Sequence, residues 1–290
     1  MHDIYILGSG AMASLWASYL YPKQTLHFIQ RTPSPDGLYR FTIEPQNKEI
    51  KGRSLSIQDI DTQIDYLILA TKAYDAVDAM NSIKDKLAHN ACVLLLQNGL
   101  GSQQAIAAGF PSIKLFACSS TEGAYKPNAN TLIHAGKGIN TIGPMNSVAS
   151  PADLTGWLPK SHYEWRDDID FVLWRKFMIN CAINPLTVLY NCPNGDLIKH
   201  NDYTTHMHHL CEEIDLITKV RFPHINESAF DLAHKTCELT AKNFSSMLQD
   251  NRNGNPTEIS FMTGYLIEQA NTYNIPCPFN EALFNTLSQA

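Results

Sequence analysis

The sequence predicts an α/β domain built on a parallel sheet, followed by a mostly α-helical C-terminal domain. Three observations carry this. The first thirty residues read as strand, glycine turn, helix and strand. Up to about residue 165, short apolar runs without polar alternation recur between helical segments, the pattern of strands covered by helices on both faces. Past that point the strand-like runs stop, and the apolar positions recur at helical spacing. The expected domains are 1–165 and 166–290, and 290 residues is a natural length for two cores at about 150 residues each.

Taken in order, Asp3–Leu7 is a short apolar strand that ends in Gly8-Ser9-Gly10. Ala11–Leu20 is rich in Ala, Leu and Met and has no breaker before Pro22, so it is a helix. Thr25–Ile29 is β-branched and aromatic, a second strand. Tyr66–Ala70 and Cys92–Leu96 are further buried strands, and Leu115–Ala117 and Thr131–Ile133 weaker ones. Asp75–Leu87 and Ser102–Ala108 are the helices between them, while 32–60 shows little pattern. In the second half, helices are expected at Ile169–Ile183 (stopped near Pro185), Asp202–Val220, Glu227–Gln249 and Glu258–Asn271.

Composition narrows the function classes. With 44% hydrophobic and 17% charged residues the chain is an ordinary globular protein. Residues 1–150 carry 12 Lys/Arg against 11 Asp/Glu, and residues 151–290 carry 10 against 17. An acidic half and the lack of any basic block argue against nucleic acid as a partner. No leader and no run of about 18 apolar residues is visible, so no membrane partner is expected. Seven scattered cysteines without a CxxC fit reduced thiols in the cytoplasm. The chain is expected to be a monomer or a homodimer.

Gly8-Ser9-Gly10-Ala11-Met12-Ala13 has the form of a dinucleotide fingerprint with Ala in the third glycine's place. The first glycine makes the tight turn and the second lets the backbone approach a pyrophosphate, which rests on the N–H groups opening the helix. An ordinary glycine turn is the alternative. The next strand ends in Gln30-Arg31-Thr32, where an NAD-selecting domain usually carries an acid. Arg31 favours NADPH over NADH, because a guanidinium pairs with a 2′-phosphate that a carboxylate would repel; a solvated strand-end arginine is the plainer account. Lys72, after the YLILAT run, is a candidate to hold a cofactor phosphate or line its pocket; a lysine at the sheet edge with no cofactor role is the plainer account. Asn98, in Gln97-Asn98-Gly99, is a turn signal and also a credible donor to nicotinamide or substrate.

Lys176, Asn180 and Asn184 share one stripe at i, i+4, i+8 on an otherwise apolar helix. A stripe with no acid and two short amides suits a cleft for an oxygen-rich anion better than a solvent edge. Glu258 has two competing readings. Asn255 can cap a helix with Pro256 at its first position and Glu258 at its third, or the Glu258 carboxylate can take part in chemistry. Two other clusters point nowhere. His206, His208, His209, Glu212 and Glu213 lack metal-ligand spacing, so no metal is expected. Cys181 and Cys192 read as small buried hydrophobes.

A cofactor domain joined to a domain offering a lysine and amides suggests hydride transfer to a carbonyl, where an ammonium both donates the proton and stabilises the developing oxyanion. Nearly the whole chain resembles the ketopantoate reductase (2-dehydropantoate 2-reductase) family. The resemblance rests on GSGAMA, KAYD at 72–75, QNG at 97–99, WRKFMINCAINPLTVLYNCPNGDL at 174–197, NFSSMLQD at 243–250 and PTEI at 256–259. It implies reduction of 2-dehydropantoate to (R)-pantoate with NADPH, on the route to pantothenate and coenzyme A, by a Rossmann-type domain and a helical domain. It further implies Lys176 as general acid, with Glu258 beside it. Asn98, Asn180, Asn184 and Ser246 would be hydrogen-bond donors to substrate, and Gly8, Gly10, Arg31 and Lys72 would hold the cofactor. Asn255 departs from the Arg or His that many members carry there. Reduction of another short 2-oxo acid, or NADPH binding without turnover, are the alternatives.

Overall fold

The computed structural model describes residues 1–288. It divides into two compact units, Met1–Gln97 with Ser102–Val172, and Asn98–Gly101 with Leu173–Ala290. The division thus falls after Val172, and a short loop from the first half of the chain belongs with the second unit.

The first unit runs β1 (Asp3–Leu7), α1 (Ala11–Leu20), β2 (Thr25–Ile29), β3 (Leu38–Glu44), β4 (Lys48–Leu55), β5 (Ile64–Leu69), α2 (Ala73–Ile83), β6 (Leu87–Leu95), α3 (Ser102–Gly109), β7 (Lys114–Ser120), β8 (Gly123–Asn128), β9 (Thr131–Gly136), β10 (Asn140–Pro144) and β11 (Glu164–Trp165). The strands form one sheet in the order β11-β10-β7-β6-β5-β1-β2-β4-β3-β9-β8. From β7 to β4 every neighbouring pair is parallel. Antiparallel pairs β7–β10, β4–β3 and β9–β8 extend it on both sides.

Period-two burial explains the central strands. Ile4 and Ile6 of β1 join the core beneath α1 with Trp16 and Phe28, while Tyr5 and Leu7 join the opposite core with Met80 of α2 and Ile106 of α3. Both faces are covered, so neither side of these strands tolerates polar residues. Residues 32–60, where little pattern was expected, hold the β3–β4 hairpin. Tyr39, Phe41 and Ile43 of β3 point inward and alternate with more exposed neighbours, a half-buried strand. Asn47, in the hairpin turn, has a φ of 47°.

Register sets the functional edge. Leu7 pairs with Ile29 and with Leu69, and Leu69 pairs with Leu95, so these strands end level. The segments beginning at Gly8, Gln30, Ala70 and Leu96 therefore leave the sheet at one edge, where α/β domains bind ligands.

The second unit contains most of α4 (Ile169–Tyr190), then α5 (Asn201–Arg221), α6 (Ala229–Leu239), α7 (Ser246–Arg252), α8 (Thr263–Thr272) and α9 (Pro278–Ser288). Three expectations are corrected. Helix α4 does not stop at Pro185 but continues to Tyr190. Cys181, Ala182, Leu186 and Thr187 are fully buried around the proline, and that packing outweighs a local cost of about 3 kcal/mol. The single helix expected at 227–249 is two, because the backbone between them serves another partner: Asn243 O accepts from Asn194 N at 2.9 Å, and Ala241 O from Gly195 N at 3.1 Å. The helix expected from Glu258 begins at Thr263, after a 3-10 turn over Ile259–Phe261.

Candidate active site

In the first unit the glycine loop is built as the sequence requires. Gly8 has a φ of +117°, and a Cβ there would lie 2.7 Å from Ala70 O, so only glycine fits between β1 and β5. Gly10 is the residue before α1 and is different: a Cβ on it would meet nothing within 4 Å. Ser9 and Gly10 are exposed, Ala11 and Met12 half-buried, and Ala13 is fully buried against the sheet, which explains a small residue in that place. No side chain caps α1 and no acid stands in its first turn. Its opening N–H groups thus suit an anion. Nearby, Thr71 Oγ1 and Gln97 Oε1 are buried without a hydrogen-bond partner, although Gln97 Nε2 donates to Leu69 O at 2.9 Å. Orphaned polar atoms at a ligand edge and an open cradle at Gly10 fit a bound dinucleotide.

Of the cations expected here, Lys72 is the residue that opens α2. Arg31 is 92% exposed, with Nη2 3.7 Å from Asp75 Oδ2. Its neighbour Gln30 is committed to the fold, its Oε1 accepting from Ser54 Oγ at 2.6 Å. A cavity of about 860 Å³ opens beside Ser9, Gln30, Thr32 and Ser34, with Tyr39 and Lys126 on its wall. Sequence reasoning missed Tyr39 and Lys126, which lie in strands without a motif.

In the second unit Lys176 Nζ donates to Asn98 Oδ1 at 2.8 Å. Asn98 reaches it on a loop whose Leu100 N donates to Phe261 O at 2.9 Å. One turn and two turns along α4 from Lys176 stand half-buried Asn180 and buried Asn184, whose Nδ2 lies 3.7 Å from Met262 Sδ. Thr187 Oγ1 bonds to Ser245 Oγ at 2.7 Å, and Ser245 Oγ accepts from Leu248 N, capping α7. That leaves Ser246 exposed as the first residue of α7. Glu258 is 4% exposed. It precedes the 3-10 turn without a side-chain cap bond, and Asn255–Thr257 are not helical, so the capping arrangement around Asn255 and Pro256 does not form. Asn194 Oδ1 is buried without a hydrogen-bond partner, while its Nδ2 donates to Thr240 Oγ1 at 2.9 Å.

The histidine segment has structural contacts. His206 Nδ1 bonds to Tyr190 Oη at 2.9 Å, and His209 stacks on Phe279. Glu213 accepts from Phe279 N, Asn280 N and Asn280 Nδ2 at the start of α9. Among the described residues no group of His, Cys, Asp and Glu is arranged to hold a metal ion, and no helix is long and apolar enough to cross a membrane. All seven cysteines are buried, and burial pushes the Cys92 thiol up to about 11.

A Rossmann-type α/β unit with an open glycine cradle, and a helical unit carrying a lysine bonded to an asparagine, define a class of two-unit oxidoreductases. Comparison with known proteins makes the assignment specific. The chain belongs to the ketopantoate reductase PanE/ApbA family: residues 4–147 match the model of that name, and residues 168–290 match its C-terminal counterpart. It is 32% identical to a 2-dehydropantoate 2-reductase of Yersinia pestis, covering 99% of this chain and 94% of that protein. It is 30% identical to one from Vibrio cholerae, covering 98% and 96%. Among solved structures, a PanE/ApbA family ketopantoate reductase from Ralstonia eutropha superposes with a TM-score of 0.85 at 22% identity, covering 100% of this chain and 98% of that one. D-mandelate dehydrogenase with NADH and anilino(oxo)acetate shares the fold at a TM-score of 0.82 and 20% identity, covering 98% and 96%.

Proposed function

We propose that this chain reduces 2-dehydropantoate to (R)-pantoate with NADPH. The observation that carries the reading is the half-buried Lys176 ammonium held 2.8 Å from Asn98 Oδ1, on a helix whose same stripe bears Asn180 and Asn184. NADPH, when bound, would supply the hydride that goes to the keto carbon. Lys176 then gives its proton to the carbonyl oxygen, so that hydride and proton together turn the ketone into a hydroxyl. Asn98 fixes the ammonium in one orientation. Asn180, Asn184 and Ser246 donate to the carboxylate and hydroxyl of the substrate, and Glu258 works beside Lys176. Residues Gly8–Ala13 take the pyrophosphate, with Arg31 and Lys72 as cofactor-binding cations. The curated relatives named above support the choice of substrate.

The test is NADPH oxidation by the purified protein against ketopantoate and a panel of short 2-oxo acids. Ketopantoate should give the highest kcat/KM, and Lys176→Ala should lower the rate about 10²–10⁴-fold while leaving NADPH affinity nearly unchanged. A higher kcat/KM for another 2-oxo acid overturns the substrate. Oxidation with none of them overturns the enzyme reading.

A further inference from the structure

Lys126 lies on β8, remote in sequence from every cofactor motif, yet it is tied to the glycine loop. Its Nζ donates to Ser9 O at 3.3 Å and to Tyr39 Oη at 2.8 Å, and Tyr39 Oη itself lies 3.4 Å from Ser9 O. The ammonium also sits over the Tyr39 and Phe41 rings, 5.3 and 5.8 Å from their centroids. These contacts hold a cation in place without neutralising it.

Charge accounting around the 860 Å³ cavity isolates this lysine. The charged residues on its wall are Asp36, Arg40, Glu49 and Lys126. Arg40 Nη1 is paired with Asp36 Oδ2 at 2.6 Å, and Glu49 Oε2 with Lys51 Nζ at 2.8 Å. Lys126 bonds only to neutral oxygens among the described residues. Arg31, the cation that sequence reasoning favoured, is not on this wall and leans toward Asp75.

We propose that Lys126 is a cofactor-specificity residue that binds the phosphate on the adenosine ribose of NADPH. This rests on the NADPH reading above. The ribose end is favoured over the pyrophosphate because Gln30, Thr32 and Ser34, which follow β2, share the wall with Lys126, alongside Ser9 of the glycine loop and the polar side chains of Thr42, Asn128 and Asn130. In a Rossmann-type domain the segment after β2 meets the adenosine ribose. The β8–β9 hairpin thereby becomes a recognition element, and Tyr39 positions the lysine.

The experiment is titration of wild type, Lys126→Met and Lys126→Gln with NADPH, NADH and 2′,5′-ADP. Methionine keeps an apolar stem over the two rings, and glutamine is a second variant in case the first fails to fold. The expected result is a roughly ten- to hundredfold rise in Kd for NADPH and 2′,5′-ADP, with NADH changed less than about threefold. Equal losses for NADPH and NADH would move the contact to the pyrophosphate and overturn the assignment, as would unchanged affinities. Wild type that binds no dinucleotide sinks the NADPH reading itself, a result separable from either.

Discussion

Gly8 and Gly10 look equivalent in the motif, but only Gly8 has a steric reason within the chain for being glycine, and alanine at each position separates the two. At Gly8 an alanine must adopt a φ of +117°, and its Cβ would lie 2.7 and 2.8 Å from Ala70 O and C. Those are backbone atoms fixed by the Ala70 N to Leu7 O bond of 2.9 Å, so they cannot rotate away. Backbone strain of about 1–3 kcal/mol and a clash of similar size should together cost about 3 kcal/mol or more. That is a fall in Tm of roughly 10 °C for a unit of this length. Gly10 has φ −70° and ψ −178°, which alanine adopts freely, and no atom lies within 4 Å of its Cβ. Only the poorer helix cap remains, about 1 kcal/mol or less. The added methyl nevertheless occupies the space assigned to the pyrophosphate, so Gly10→Ala should keep nearly its parent Tm and lose NADPH affinity at least about tenfold. Thermal melts and fluorescence titration of both variants decide. Gly10→Ala that binds NADPH like the parent would refute the phosphate cradle, and Gly8→Ala with a parental Tm would refute the steric argument.

Two further outcomes are expected. If Glu258 works beside Lys176, Glu258→Gln, which keeps size and hydrogen-bonding capacity, should lower kcat/KM at least about tenfold with a Tm close to the parent; near-parent kinetics would leave Glu258 a structural residue. Burial alone would raise the Asp153 carboxyl, but hydrogen bonds from Lys114 and Ser150 outweigh it and hold the group below its ordinary value. A lowered folded-state pKa contributes stability that is present above the unfolded value of about 3.9 and lost as pH falls through the folded one. Asp153→Asn should therefore lower the Tm modestly at pH 7, solvent screening of the Lys114 pair keeping the effect small. Its gap to wild type in thermal melts should close below about pH 4, and a gap independent of pH contradicts the pairing.

Legibility from sequence followed how local the deciding forces are. The bounds of β1, α1 and β2 match the sequence reading to the residue. There, buried runs meet a glycine turn and local signals agree with the fold. The β3–β4 hairpin was invisible as a sheet element because half-buried alternation resembles a polar loop until its partner strand is known. Pro185 misled because its local cost is outweighed by buried residues on either side, which only the tertiary structure supplies. The shared stripe of Lys176, Asn180 and Asn184 follows from helical spacing alone, whereas Lys126 reaches Ser9 through pairing of distant strands. No window of sequence contains that contact.

The Asn98-Gly99 pair reads both as a turn signal and as a candidate donor, and the two readings are compatible in the structure. Gly99 has a φ of +77°, and a Cβ on it would stand 2.5 Å from Phe261 O; Gly101 has a φ of +101° beside the Tyr265 ring. Only glycine permits that conformation and that approach, which the Leu100 N to Phe261 O bond then locks. The turn is the means by which Asn98, leaving the end of β6, is carried into the second unit and set against Lys176. A residue that orients an ammonium must itself be held, and here the two glycines and one backbone hydrogen bond hold it. The stretch reads as a turn and as part of the candidate site for the same physical reason.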